Sequence, residues 1–577
     1  MDKPNIIFIL TDDQGIGDLG CLGNDLIQTP NIDKLHGESL SFTNFHVGPT
    51  CAPTRSGLLT GHYANSTGVW HTVGGRSLLR KSEWTLADAF SENGYKTGIF
   101  GKWHLGDEYP YRAMDRGFQR SVVHGAGGIS QTPDWWGNDY FDDTYYTDGV
   151  PKPYKGYCTD VFFREALKFV DENKNNPFFC YIALNAPHAP FNVEDRYADL
   201  YRGKIEETIS RFYGMITNID ENIGILRERL DELGIADNTI VIFMTDNGSA
   251  GGVKLDENSG LAVTGYNGGY RGKKNSEYEG GHRVPFIMNI PYKEDTRNKK
   301  IDRLCANIDF MPTLLDLCNI NVLVEKTFHG RSLVDLIEGK SWEERVIVTD
   351  SQRLTEPVKW RKSAVMSDDW RLINGVELYN IKEDKEQQKD VAGDNPETLF
   401  WLRKEYEKWW DIVSEKFDEE IPIGIGNYET SFTPHDLRNK GADCPHHQGH
   451  IRAGYRVNGY YEVEVEEDGE YCFSLSRWPK HTGLSLTEGI VGSDIEFRKD
   501  CVMDEALHYY VGGEAIDIDK ATVKLNNVCK RVEVDGEKNS IEIHMELKKG
   551  TGHLEAYFTE LSGEDFAAYF IDVKKQK

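Results

Sequence analysis

Four short apolar runs, far apart in the chain, each stop at a cluster of ionisable or amide side chains. Residues 5–10 end at Thr11-Asp12-Asp13, and residues 96–100 at Gly101-Lys102-Trp103-His104. Residues 177–184 end at Asn185-Ala186-Pro187-His188, and residues 239–244 at Thr245-Asp246-Asn247-Gly248. Residues 284–290 form a fifth apolar run. Runs this short and this apolar read as strands buried on both faces. Helical patterns lie between them. The clearest covers 206–233, with Ile209, Phe212, Tyr213, Ile216, Ile219, Ile223, Leu226 and Leu230 on one stripe. Buried strands alternating with helices predict an α/β fold with a large, mostly parallel sheet flanked by helices. In open sheets of this kind ligands bind at the carboxyl ends of the strands. The four polar clusters are therefore expected to converge on one site. Strand ends are polar in most proteins, but these clusters are chemically selective.

A core of that size needs material, and 28 Tyr, 26 Phe and 12 Trp among 577 residues supply it. Counting His as neutral, the charge is 66 − 94 = −28. A field of that sign argues against nucleic acid as a partner and makes any local cluster of Lys, Arg and His stand out. No apolar run approaches the ~20 residues of a membrane span. The opening Met-Asp-Lys-Pro leads straight into a strand-like run with no secretory segment. The chain is then either cytosolic or numbered from after a removed signal peptide. Ten cysteines are too sparse for a disulfide scaffold. Four of them (Cys444, Cys472, Cys501, Cys529) fall in the last 140 or so residues, which leaves room for one or two bridges without calling for them.

From about Gly424 the pattern changes. Residues 455–466, 470–475 and 521–525 alternate apolar with polar, and Asp468-Gly469 and Asp535-Gly536 are turn signals. This predicts a mainly antiparallel β domain over 424–577, preceded by a helix over 396–416. The rest, 1–423, reads as one catalytic unit with a smaller C-terminal part from about 330.

The most informative segment is Cys51-Ala52-Pro53-Thr54-Arg55-Ser56-Gly57-Leu58-Leu59-Thr60-Gly61. Proline is tolerated in a first helical turn, so a helix is expected to start near Pro53. Cys51 then sits at its N-terminus, a position that attracts anions and activates a nucleophile. Arg55 adds a fixed positive fork suited to a sulfate or phosphate oxyanion. Asp12, Asp13, Asp246 and Asn247 offer hard oxygen ligands, which suit calcium or magnesium and not zinc. A solvated turn is the alternative for Asp12-Asp13, but adjacent acids after a buried strand repel each other unless a cation joins them.

The Cys51 segment resembles the signature of type I sulfatases, in the alkaline-phosphatase superfamily. Other segments match in the same order: P-N-I-I-F-I-L-T-D-D-Q from residue 4, G-K-W-H-L-G at 101–106, A-P-H-A-P-F at 186–191, T-D-N-G at 245–248 and K-N-S-E-Y-E-G-G-H-R-V-P at 274–285. E-L-Y-N-I at 377–381 is similar to the end of the catalytic domain. The resemblance spans roughly 4–420 and does not explain the last 150 residues. It implies that Cys51 is oxidised to formylglycine by a maturation enzyme, and that Asp12, Asp13, Asp246, Asn247 and position 51 bind Ca²⁺, with Mg²⁺ as the alternative. It also implies a cationic set of Arg55, Lys102, His104, His188 and Lys274. Lys274 rather than Lys273 is chosen because the lysine of the family lies five before the Glu of E-G-G.

The implied mechanism has hydrated formylglycine 51 attack sulfur with one hydroxyl, Asp246 accepting its proton. His188, or else Lys274, protonates the leaving alcohol, and His104 takes the proton of the second hydroxyl as sulfate leaves. Arg55 and Lys102 orient residue 51, and Lys102, His188 and Lys274 hold the sulfate. The substrate implied is a sulfated oligo- or polysaccharide, an algal glycan such as ulvan or carrageenan or a glycosaminoglycan, met in the periplasm or outside the cell. A phosphonate or phosphodiester hydrolase of the same superfamily is the first alternative. A non-catalytic glycan-binding protein on this scaffold is the second. Two stretches are candidates for the sugar: Trp135-Trp136, Tyr140, Phe141, Tyr145 and Tyr146, and Gln352, Arg353, Lys359, Trp360 and Arg361. Core packing explains either stretch as well.

Overall fold

The structure, a computed structural model, describes residues 3–320, 327–441 and 444–576. Ten strands form the main sheet: β1 (Asn5–Thr11), β2 (Leu40–Phe42), β3 (Lys96–Lys102), β4 (Arg120–His124), β5 (Thr144–Thr147), β6 (Val150–Pro153), β7 (Phe178–Ala183), β8 (Thr239–Thr245), β9 (Phe286–Asn289) and β10 (Lys300–Ile301). Their order is β10-β2-β9-β8-β1-β7-β3-β4-β5-β6. The five strands β8-β1-β7-β3-β4 are parallel. Both margins turn antiparallel, at β9 on one side and at β5 and β6 on the other. The fifth apolar run, β9, thus enters the sheet against the direction of its neighbours.

β1 shows why the centre is so apolar. Ile6, Phe8 and Leu10 pack into the core on one face, and Ile7 and Ile9 into the core on the other. Helices Cys158–Asn173 and Glu207–Glu232 cover the second face. Helices Cys51–Thr60, Leu86–Glu92 and Phe310–Leu317 cover the first. All eight stripe residues of the long helix are buried. Removing one such side chain costs on the order of 2–5 kcal/mol.

Register then fixes the site. Thr11 pairs with Thr245, and Leu10 lies level with both Met244 and Ala183. Gly101 pairs with Ala183 as well. β1, β8, β7 and β3 therefore end level, and the residues just past their ends share one edge.

Residues Ile347–Asn380 form a four-stranded antiparallel sheet, packed by helix Pro396–Val413 through Leu402, Tyr406, Trp409 and Val413. Beyond it two sheets face each other, their core including Val463, Phe473, Val523, Phe558 and Ile571. Within residues 455–466 the strand is confined to Tyr461–Val465. Among the described residues no disulfide joins any of the ten cysteines. Cys472 lies inside one of the facing sheets, Cys529 is exposed, and Cys501 packs into the core of the catalytic sheet. That last contact, shared by Val502, Met503 and Ala506, fastens the β-rich end onto the α/β core.

Candidate active site

The helix that carries Cys51 starts at Cys51 itself, two residues before the expected start, and Pro53 occupies its first turn. The helix is buried throughout, so the thiol points into the strand edge and not into solvent. The Cys51 Sγ lies 3.1 Å from Asp12 Oδ1, 3.8 Å from Asp13 Oδ1 and 3.4 Å from Asn247 Oδ1. Ligand atoms of Asp12, Asp13, Cys51 and Asp246 all fall within 4.8 Å of one another. Asp13 adopts φ 68°, a left-handed conformation that costs roughly 1–2 kcal/mol for most L-residues but is tolerated best by Asn and Asp. There its backbone N–H donates to Asp246 Oδ1 at 3.1 Å.

Cations enclose these acids. Arg55 Nη2 pairs with Asp246 at 2.9 Å, Lys102 Nζ with Asp12 at 2.6 Å and Lys274 Nζ with Asp13 at 2.6 Å. Arg55 also donates to the Lys102 carbonyl at 3.1 Å. The turn that presents Lys102 needs Gly101, whose φ is 115° and where a Cβ would sit 1.9 Å from the Ala183 carbonyl oxygen. His188 Nε2 lies 3.6 Å from Asp13, with Nδ1 on the Ala189 carbonyl. Its side chain is 22% exposed, while those of Arg55 and Lys102 are fully buried. The site thus opens to solvent beside His188.

His104 stands behind Lys102 at φ 61°, its Nε2 on the Thr72 carbonyl and its Nδ1 buried without a partner. Gly127 packs flat on its ring, where a Cβ would be 2.3 Å away.

The electrostatics show which sign prevails. Burial, and then the charge of Asp12, raise the Asp246 carboxyl to about 7 despite Arg55. Burial also opposes ionisation of Asp13, but Lys274, His188 and Lys102 outweigh it and hold that carboxyl below its usual range. Burial, Asp12 and Asp246 push the Cys51 thiol well up, so an unmodified Cys51 is a thiol and a poor nucleophile. Burial lowers His188 to about 4 against the pull of Asp13. Three carboxylates face three cations here, and burial is the largest cause of the rise in both Asp246 and Cys51, so neither group ionises readily without a further positive charge. The donors of the site are carboxylate and amide oxygens, so the residues fit a hard divalent ion.

All ten residues singled out from the sequence meet at this edge. The aromatic stretch behaves differently: Tyr140, Phe141 and Tyr145 belong to the core, and Trp136 is buried under Arg452. Trp135, Tyr146 and an edge of Trp136 line a cleft of about 530 Å³ against the β-rich end, where Trp135 stacks on His481 at 4.0 Å. Three histidines outside the sequence reading approach the site. His71 precedes the residue that holds His104, His435 faces the His104 ring at 6.1 Å, and the His446 carbonyl accepts from Thr132 N–H at 2.9 Å. C-P-H-H-Q-G-H at 444–450 was the available signal for the last, but nothing local connects it to a site built 300 residues earlier.

Comparison with known proteins gives a consistent picture. Residues 269–405 match the C-terminal region described as N-sulphoglucosamine sulphohydrolase, C-terminal. An arylsulfatase of Hemicentrotus pulcherrimus is 30% identical over 368 residues, 59% of this chain and 63% of that protein. An N-acetylgalactosamine-6-O-sulfatase of Bacteroides thetaiotaomicron is 28% identical over 484 residues, 69% of this chain and 91% of that one. The solved structure of Ps i-CgsB, in complex with k-i-k-neocarrahexaose, superposes with a TM-score of 0.63 at 26% identity, covering 72% of this chain and 98% of that chain. Residues 4–320, more than half of the chain and the part that builds the Cys51 edge, match the family described as Sulfatase, and the protein is a member of that family.

Proposed function

We propose that the protein hydrolyses sulfate esters of a sulfated oligo- or polysaccharide at the Cys51 site, with calcium bound by Asp12, Asp13, Asp246 and Asn247. The observation that carries this is the ring of three carboxylates and one amide oxygen around Cys51, enclosed by Arg55, Lys102 and Lys274. Calcium held there supplies positive charge against the ester and lowers the pKa of an oxygen nucleophile beside it. Formylglycine made from Cys51 by a maturation enzyme supplies that oxygen, which the buried thiol cannot.

The chain's own residues do the rest. Arg55 fixes Asp246, and the short Lys102 and Lys274 contacts place two ammonium groups where sulfate oxygens gather charge. With a cation on the carboxylates, both lysines become available to the ester. His188, at the open side, faces the leaving alcohol. It is neutral in this environment, and an approaching anion shifts it toward the protonated form that a general acid needs. His104, with Nε2 engaged by Thr72, keeps Nδ1 for a proton on the Lys102 side. Residues 1–423 form the catalytic unit in this reading, with 424–577 as a β-rich accessory domain. A polymeric glycan does not cross membranes, which favours a periplasmic or secreted location. Among the described residues no helix is long and apolar enough to cross a membrane.

The test is anion chromatography after co-expression with a formylglycine-generating enzyme. Sulfated glycans, an aryl sulfate and an aryl phosphate are offered with and without a calcium chelator. Chelator-sensitive sulfate release is expected. Phosphate release in its place would move the assignment to the phosphonate and phosphodiester hydrolases. Neither ion, with the aldehyde verified by mass, would sink the hydrolytic reading.

A further inference from the structure

We propose that Arg353, backed by Arg361, forms an anion subsite beside the sulfate pocket that takes a second negatively charged group of the same glycan, a carboxylate or another sulfate ester. This rests on the reading of the Cys51 site as a sulfatase centre and narrows its substrate to glycans carrying at least two anions.

The segment that bears both arginines is pinned between two walls of the site. On one side Ser351 Oγ donates to Asn275 Oδ1, and Lys362 Nζ donates to the Asn275 carbonyl at 3.1 Å. Asn275 follows Lys274, which sits on Asp13. On the other side Arg353 N–H reaches the Trp70 carbonyl at 3.3 Å, and Trp70 Nε1 returns a bond to the Leu354 carbonyl at 3.2 Å. Trp70 leads into His71 and Thr72, and Thr72 holds His104. Arg353 therefore stands between the Lys274 wall and the His104 wall.

Most of the cationic-aromatic stretch is consumed by packing. Gln352 is buried and bonded to Asp350 and Val358, Lys359 pairs with Glu407, and Trp360 stacks on Tyr406 at 3.5 Å. The arginines are left. Arg361 Nε donates to the Gln352 carbonyl at 2.8 Å, which orients its guanidinium behind Arg353. Among the described residues no carboxylate lies within ion-pair distance of either one. Arg353 is exposed and holds φ 43°, a strained conformation of the kind that gathers at binding sites. Arg361 feels the buried Asp350 carboxyl without pairing with it; in a chain of charge −28, two guanidiniums without an ion-pair partner beside a site are a departure from the background.

The surroundings have the same sign. Burial first, and then the guanidiniums of Arg353 and Arg361 among its neighbours, lower His71 to about 3 and leave it neutral. His446 and His435 come from the β-rich end, so that unit completes the wall facing Arg353. Arginine suits either anion, because its planar fork matches carboxylate and sulfate oxygens alike.

The experiment compares sulfate release from an aryl sulfate, a monosulfated neutral disaccharide, the same sugar with a second sulfate, and a monosulfated disaccharide bearing a uronate carboxylate. Wild type, Arg353→Ala, Arg353→Lys and the surface control Lys359→Ala are each measured. Wild type is expected to prefer a dianionic sugar. Arg353→Ala should shrink that kcat/KM preference by about tenfold or more, mostly through KM, and Arg353→Lys should restore part of it. The preferred sugar tells carboxylate from sulfate. Calorimetric binding of the same sugars to Cys51→Ala, with and without Arg353→Ala, runs alongside and needs no turnover. Anion-dependent binding lost with Arg353, in a protein that releases no sulfate, would keep the subsite and discard the hydrolytic reading. No preference in wild type, or one that survives Arg353→Ala or falls equally in Lys359→Ala, overturns the subsite.

Discussion

Among the described residues two buried clusters offer metal-ligand side chains. At the edge of β1 and β8 stand Asp12, Asp13, Cys51 and Asp246, and beside β9 stand His46, Glu279 and His282. They differ in how many carboxylates they hold and in how those acids are paired. In the first, Asp246 is raised to about 7 by burial and a neighbouring acid. In the second, burial opposes the Glu279 charge, yet Arg371 and Arg283 hold that carboxyl well below its usual range. Both Glu279 oxygens are taken, one by Arg283 at 2.6 Å and the other by Arg371 at 2.5 Å. His46 and His282 face each other through Nδ1 at 2.9 Å. The acidic edge has oxygens in excess of its cations. The histidine cluster has cations in excess of its one carboxylate, and a divalent ion would be repelled there. Ligand-type residues within reach of one another do not make a cation site; the number of carboxylates, and what already occupies their oxygens, decide.

Asp13→Asn probes this contrast most strongly, because asparagine keeps the left-handed backbone and the shape while removing one charge. Sulfate release is expected to fall by about 10²–10³-fold or more. Calcium bound per chain, read by elemental analysis, should fall with it. Glu279→Gln should leave the calcium content unchanged. If Glu279→Gln emptied the ion and Asp13→Asn did not, the comparison would be reversed.

Glu279→Gln has its own cost. It leaves two buried guanidiniums with no carboxylate, and breaking a buried pair from one side costs on the order of 3–5 kcal/mol. A lowered thermal midpoint is expected in both the calcium-loaded and the chelated protein. An unchanged midpoint would mean that the pair contributes nothing to stability.

The acidic edge was legible in the sequence because a parallel sheet turns sequence order into convergence. Asp12, Lys102, His188 and Asp246 each follow an apolar run, and register brings the run ends level. The margins were less legible. β9 carries the same apolar signal as its neighbours but runs antiparallel, and burial on both faces is blind to direction. The aromatic stretch is ambiguous in the sequence for a related reason. Tyr140, Phe141 and Tyr145 were weighed as sugar faces, but aromatic side chains are the usual filling of a core this large. His435 had no signal of its own, and the histidine-rich run around His446 did not say where it packs, since the contact that brings the β-rich end to the His104 wall is purely tertiary.

The histidine cluster also sets an acid limit. Burial lowers His282 to about 4 although Glu279 pulls the other way. Its folded pKa lies below the ordinary 6.5, so the unfolded chain binds more protons between those values. Stability is then complete above about pH 6.5 and declines as pH falls toward 4, by up to roughly 3 kcal/mol from this group. Denaturant unfolding at a series of pH values should show that decline, and His282→Gln should flatten it. A decline of equal size in the variant would assign the acid limb to other groups.

The acidic edge predicts a smaller effect of opposite character, in ion affinity. Asp246 is raised, so in the ion-free protein it is largely protonated below about pH 7, and a calcium ion must displace that proton. Affinity should therefore weaken by about tenfold for each unit below pH 7 and level off above it. Calorimetry in buffers of different ionisation enthalpy would register the released proton directly. Asp246→Asn keeps an amide oxygen in place of the acid and should abolish the slope while binding more weakly at every pH. A flat profile in the unaltered protein would mean that Arg55, at 2.9 Å, keeps Asp246 ionised without calcium. Calcium would then bind without displacing a proton, and the protonated acid that distinguishes this edge from the ion-paired Glu279 would be absent.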